Sequence, residues 1–183
     1  SSVITNEEAL ILSKIAKKTG AKLVCDEAYG FSKFLKAYSA VSSKMFWGAT
    51  LKSLSQSDVI ISVGTRIKDD APMVKNHIAT AIKRNKGRFI YMHPIEDNEI
   101  KNLVTRFIKY EAGSEEGVIA LLAWFLLKNK NIDKEIKEYF DELDIGYISA
   151  ESSVSEEEIE AINLDLWKRK KFTLVIGEDI YNH

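Results

Sequence analysis

Asp58-Val59-Ile60-Ile61-Ser62-Val63-Gly64 decides the fold class. The run is β-branched and uncharged between its acidic start and its glycine. Continuous apolar character, rather than alternation, marks a strand covered on both faces, as in a parallel sheet. Downstream of Gly64 a polar loop, Thr65 to Ala71, leads to Pro72, a residue suited to the first position of a helix. Val74, Ile78 and Ile82 then recur on one helical face, and Gly87 is the expected C-cap. Arg88-Phe89-Ile90-Tyr91-Met92 is the next strand, closed by His93-Pro94. Strand, helix and strand at this spacing make a crossover between parallel neighbours. The expectation is therefore an α/β protein, a mostly parallel sheet flanked by helices in a Rossmann-like arrangement.

Upstream, Thr5-Asn6-Glu7-Glu8 reads as a capping box that opens a helix. Its inner face is expected at Ala9, Leu12, Ile15 and Ala16, and Gly20 ends it. Ala21 to Cys25 reads as a first strand, with Cys25 a buried small hydrophobe. Asp26 to Lys44 reads as an irregular connection with a helical turn or two, and Ala49 to Leu54 as a short helix. Towards the C-terminus, Arg106 to Tyr110 reads as a strand. Glu115 to Lys128 is a strongly apolar helix, with Trp124 and Phe125 in the core, and Ile132 to Phe140 a more polar one. Asp144 to Ser152 reads as a loop. Ser155-Glu156-Glu157-Glu158 caps a helix running to about Trp167, and Phe172 to Gly177 is a last strand. Residues 1–150 are expected to form the α/β domain. Residues 151–183 are expected to be a capped helix and strand leading into a further part of a longer protein.

Composition excludes several function classes. The 183 residues carry 26 basic and 27 acidic side chains, a net charge of −1. That balance offers no general field for nucleic acid or an anionic membrane. No apolar run reaches the roughly 18 residues of a membrane span. Ser1 to Thr5 has no basic or apolar leader character. Cys25 is the single cysteine, so this chain holds no internal disulfide and cannot supply the thiolates of an iron–sulfur cluster. No metal site is expected. The pattern fits a reducing cytoplasm.

In a parallel sheet, ligands bind at the carboxyl ends of the strands. Two such ends are candidates. Gly64, Thr65 and Arg66, followed by Asp69 and Asp70, precede the helix at Pro72, whose free N–H groups suit a phosphate; the same stretch also reads as an ordinary tight turn. His93 with Glu96 and Asp97 could suggest a metal, but reads more simply as a solvated loop with a histidine at a strand end. His77 lies mid-helix and His183 at the end of the chain. No serine has a nucleophile-elbow context, and no catalytic residue is assigned.

The order of segments resembles the molybdopterin oxidoreductase family. Thr5-Asn6-Glu7-Glu8 is similar to the family's T-N-E-E. Asp58 to Thr65 with Pro72 resembles its strand ending in G-T-N. Gly87 to Pro94 resembles the strand ending in D-P, and Ala112-Gly113-Ser114-Glu115 its P-G-T-D. Arg66 stands where the family has Asn, and His93 where it has Asp. No cysteine lies between Gly30 and Ala40, where the family's metal ligand falls. Within the family, the chain most resembles the large iron–sulfur subunit of bacterial NADH-quinone oxidoreductase, respiratory complex I. The resemblance implies a structural and interaction domain on the cytoplasmic peripheral arm of that membrane-attached complex. Its partners would be the other subunits. Gly64, Thr65, Arg66 and His93 would be a vestigial pterin site without cofactor. Iron–sulfur clusters would lie in a part of the parent preceding Ser1. The segment 56–69 also resembles the middle domain of thiamine-diphosphate enzymes, and a true molybdoenzyme fragment or a generic nucleotide-binding module stays open. The aromatic stretch Phe31 to Trp47 is the candidate interaction surface.

Overall fold

In the computed structural model, which describes residues 4–43 and 48–181, Val59–Val63 is an inner strand with every residue buried. The chain divides into two compact units, residues 1–47 with 181–183, and Gly48–Ile180.

In the first unit, α1 (Asn6–Thr19) begins at the expected capping box and ends at Gly20 with φ +72°. Its expected inner face is largely exposed. Ala16 alone is buried, while Leu12 and Ile15 are 43% and 52% exposed. Ala21 to Cys25 is not a strand. A short apolar run becomes one only where a neighbour takes up its backbone groups, and here Val24 is 82% exposed. Cys25, expected to be buried, is partly exposed and precedes α2 (Asp26–Ser42). The irregular connection expected there is thus a long helix. Its signal was the spacing of Phe31, Phe34 and Tyr38, which stack along one face at 6.3 Å per pair. Phe46, Trp47 and His183 lie outside the described residues.

The second unit opens with α3 (Leu51–Ser55), β1 (Val59–Val63) and α4 (Ile67–Asp70). The last is a short helix in the stretch expected to be a loop, anchored by the fully buried Ile67. Next come α5 (Pro72–Asn85), β2 (Arg88–Met92) and β3 (Arg106–Ile108). The cap of α5 is Lys86, at φ +52°, one residue before the expected glycine. Then follow α6 (Glu115–Leu127), α7 (Lys134–Glu142) and α8 (Ile145–Ser152). The α8 helix replaces an expected loop. Asp144 caps it by accepting the Tyr147 N–H at 3.0 Å, and Ile145 and Ile148 pack one face inward. Last are α9 (Glu156–Glu160), α10 (Ile162–Leu166) and β4 (Phe172–Ile176). The single helix expected before β4 is this pair, joined through Ala161, which keeps helical dihedrals.

Among the described residues the four strands form one sheet in the order β3-β2-β1-β4, and every pairing is parallel. The α/β, parallel-sheet expectation holds. Alternate residues of β1 feed two cores. Val59, Ile61 and Val63 join Ile90, Met92 and the α6 residues Val118, Leu121, Leu122 and Phe125. Ile60 joins Phe89 and Tyr91 with Ile78 and Ala81 of α5. Two-sided burial is why β1 reads as unbroken apolar sequence. Among the described residues, no helix is long and apolar enough to cross a membrane.

Candidate functional site

β1 and β4 are neighbours whose chain continuations leave on opposite faces. β1 leads into α4 and α5, which pack on the Ile60 face, whereas Ile180 after β4 packs on the Val63 face. That divergence is the topological switch point where α/β sheets form their ligand crevice. The sheet order brings the two strand ends of the sequence reading, Gly64 to Arg66 and His93, to this end of β1 and β2.

The crevice is narrow at its base. Gly64 adopts φ +66°, and its carbonyl accepts the Asp179 N–H at 3.2 Å. A side-chain carbon on Gly64 would come 3.0 Å from Cγ1 of Ile180. The short 3-10 turn Glu178–Ile180 therefore occupies the space above the β1 turn.

Several donors of that turn are engaged by carboxylates. Oδ2 of Asp70 accepts the Thr65 hydroxyl at 2.8 Å and the Arg66 N–H at 2.7 Å. The Arg66 guanidinium pairs with Asp69 at 3.2 Å, and Lys68 pairs with Glu99. Thr65 is buried, whereas the Arg66 side chain is exposed.

His93 stands at the strand end, as expected, and is 5% exposed, whereas Ile95 and Glu96 of the loop beyond it are exposed. A strand-end side chain is covered here because its ring stacks on Tyr91, 5.5 Å between centroids and 7° from parallel. Its Nδ1 lies 3.0 Å from the Ile95 N–H and 2.9 Å from the Ile95 carbonyl. One tautomer accepts from the former and the other donates to the latter. Nε2 faces Oδ2 of Asp179 at 3.7 Å. The Tyr91 hydroxyl donates to the Thr65 carbonyl at 3.3 Å. Burial, with the Asp97 charge adding, pushes that hydroxyl well above the ordinary tyrosine range. Tyr110 is raised in the same way, by burial first and then by the charge of Glu115. Glu115, 4% exposed, opens α6.

Sequence reading placed Asp69 and Asp70 directly after Gly64-Thr65-Arg66, but missed Tyr91, Tyr110 and Asp179 as parts of this cluster. One usable signal was repetition: β4, like β1, ends in glycine followed two residues or more later by aspartate, in Gly177-Glu178-Asp179. Among the described residues no group of three His, Cys, Asp or Glu side chains could hold a metal. Chemically, the cluster sets the carboxylates of Asp69, Asp70 and Asp179 about the β1 turn, an arrangement that repels an anion.

No curated protein matches the chain. A family model described as molybdopterin oxidoreductase matches residues 1–183.

Proposed function

Because the chain belongs to the molybdopterin oxidoreductase family, we propose that it is a domain of a larger oxidoreductase that keeps the family's sheet and has lost the pterin site. Its role in that protein is structural and interactive, without catalysis of its own. The large iron–sulfur subunit of NADH-quinone oxidoreductase, on the peripheral arm of respiratory complex I, is the member we assign it to. Its partners are then the other subunits of that complex, and the electron-carrying clusters belong to the parent protein outside these residues.

Asp70 carries the proposal. A pterin dinucleotide is held by backbone and side-chain donors aimed at its diphosphate. At the β1 turn, two donors, the Thr65 hydroxyl and the Arg66 N–H, are taken by the Asp70 carboxylate. Asp69 takes the guanidinium, and the turn at Glu178–Ile180 fills the space over Gly64. A diphosphate would have to displace one carboxylate and approach two more, each repelling it. The residues present do not fit the group. The family match over the whole chain weighs against the thiamine-diphosphate alternative.

The test is elemental analysis of the purified chain, together with mass spectrometry of small molecules released on denaturation. Absence of stoichiometric molybdenum, tungsten and pterin is expected, as is absence of turnover with NADH and an artificial acceptor. Stoichiometric pterin or metal would overturn the proposal and restore a molybdoenzyme reading.

A further inference from the structure

The two edges of the sheet are built differently. β3 is three residues long and carries Arg106, which Asp165 holds at 2.8 Å. Short length and charge are the usual guards against edge-to-edge pairing. β4 has neither guard. Phe172-Thr173-Leu174-Val175-Ile176 is uncharged, and among the described residues no strand pairs with its outer edge. Phe172, Leu174 and Ile176 are Cα partners of Val59, Ile61 and Val63, so they share that face of the sheet. They are 44%, 37% and 40% exposed, whereas their partners are fully buried.

We propose that β4 is a self-association edge, where a second copy of this chain pairs antiparallel about a two-fold axis through Leu174. Three observations select this occupant and this register. The first is backbone parity. The Gly177 N–H donates to Val63, and the Lys171 carbonyl accepts from Val59. Alternate residues of β4 thus turn towards β1, which leaves Phe172, Leu174 and Ile176 with N–H and C=O pointing outward. A two-fold at Leu174 sets Leu174 opposite its copy and Phe172 opposite Ile176. All are outward-facing, so each pair exchanges both its hydrogen bonds.

Side-chain matching is the second. The same register makes a purely apolar cross-strand ladder on the exposed face. Shifting the axis to Phe172 or Ile176 would set Leu174 against Lys170 or Glu178. The third is charge. The strand is preceded by Lys168-Arg169-Lys170-Lys171 and followed by Glu178. Antiparallel pairing about Leu174 brings the basic run of one copy beside the exposed acidic turn of the other, twice by symmetry. A parallel pairing would set like charge against like.

One short strand pair is a small interface, so the association is weak, with a dissociation constant on the order of 10 µM. Sedimentation equilibrium of the whole chain, from about 1 to 200 µM, should show a monomer–dimer equilibrium. Leu174→Lys should remain monomeric throughout, with an unchanged circular dichroism spectrum. Lys170→Glu and Glu178→Lys should each weaken the dimer roughly tenfold, and the double variant should recover it. A wild-type chain that is monomeric across the range would overturn the proposal and leave the edge to a different polypeptide. A dimer indifferent to Leu174→Lys, or charge reversals that do not compensate, would overturn it as well.

Discussion

Gly177 lies against the carbonyl of Gly64 so closely that a methyl group on its Cα would overlap that oxygen. Its N–H donates to Val63 O at 2.9 Å, and the Asp179 N–H returns to Gly64 O. The two nearest obstructing atoms, O and C of Gly64, are backbone at a buried strand end, which cannot yield as a flexible side chain can. Gly177→Ala should therefore destabilise the fold by about 2–4 kcal/mol, read by chemical denaturation. A variant as stable as wild type would mean that the two strand ends part easily.

Asp70 should behave as the lock of the β1 turn. Asp70→Ala removes the acceptor for Thr65 and Arg66, and should cost about 1–2 kcal/mol. The same change frees two donors and removes a repelling charge. Titration calorimetry should then detect inorganic pyrophosphate binding in the millimolar range, on the order of 4 kcal/mol, where wild type shows none. If the variant binds no better than wild type, engaged donors are not what closes the site.

Asp58 ties the start of β4 to β1. Its Oδ2 accepts the N–H groups of Lys170 and Lys171 at 2.9 and 3.0 Å. These bonds, the Lys170 one first, hold its carboxyl below the usual range; the charges of Arg169 and Lys171 act the same way, while burial works in the opposite direction. A depressed folded-state pKa contributes stability above the unfolded value and loses it as pH falls through the folded one. Asp58→Asn should be about 1 kcal/mol less stable at neutral pH, the charge being partly screened by solvent. The gap should close in acid, below the ordinary aspartate range. A gap that persists unchanged there would assign the effect to packing instead.

Tyr91 and Tyr110 predict the alkaline limb. Burial raises both hydroxyls, so the folded state retains protons that the unfolded chain releases. Their contribution is complete below about pH 10, the unfolded value, and declines as pH rises towards the folded one. Spectrophotometric titration should show part of the 7 tyrosines ionising only as the chain unfolds. Tyr91→Phe with Tyr110→Phe should remove that delayed fraction, and a titration already complete before unfolding would contradict it.

The sheet was legible where burial is symmetric. Val59–Val63 and Arg88–Met92 follow from unbroken apolar sequence, because both faces meet helices. Ala21 to Cys25 has the same local character yet makes no strand, since strand formation depends on a neighbour that local pattern does not reveal. Phe31, Phe34 and Tyr38 carried a helical period obscured by the small and basic residues between them. At the site, Gly64, Thr65, Arg66 and His93 were legible as strand ends. So were Asp69 and Asp70 beside them. Asp179 was not: it reaches His93 only because β4 lies beside β1, and sheet order is not written in either segment. The burial of His93 depends likewise on the stacked Tyr91 ring.

The pairing of Val59 with Phe172 also sets an order of events during synthesis. Roughly 110 residues separate these strands, so at ordinary elongation rates β4 follows β1 by on the order of ten seconds. The crossover from β1 through α5 to β2 is local and can form early. Through that interval β1 has one bare margin, uncharged and β-branched, in a chain still being made. Nascent polypeptides on neighbouring ribosomes would meet it in the same state, which makes this the stage most exposed to misassembly and the one a chaperone would have reason to shield.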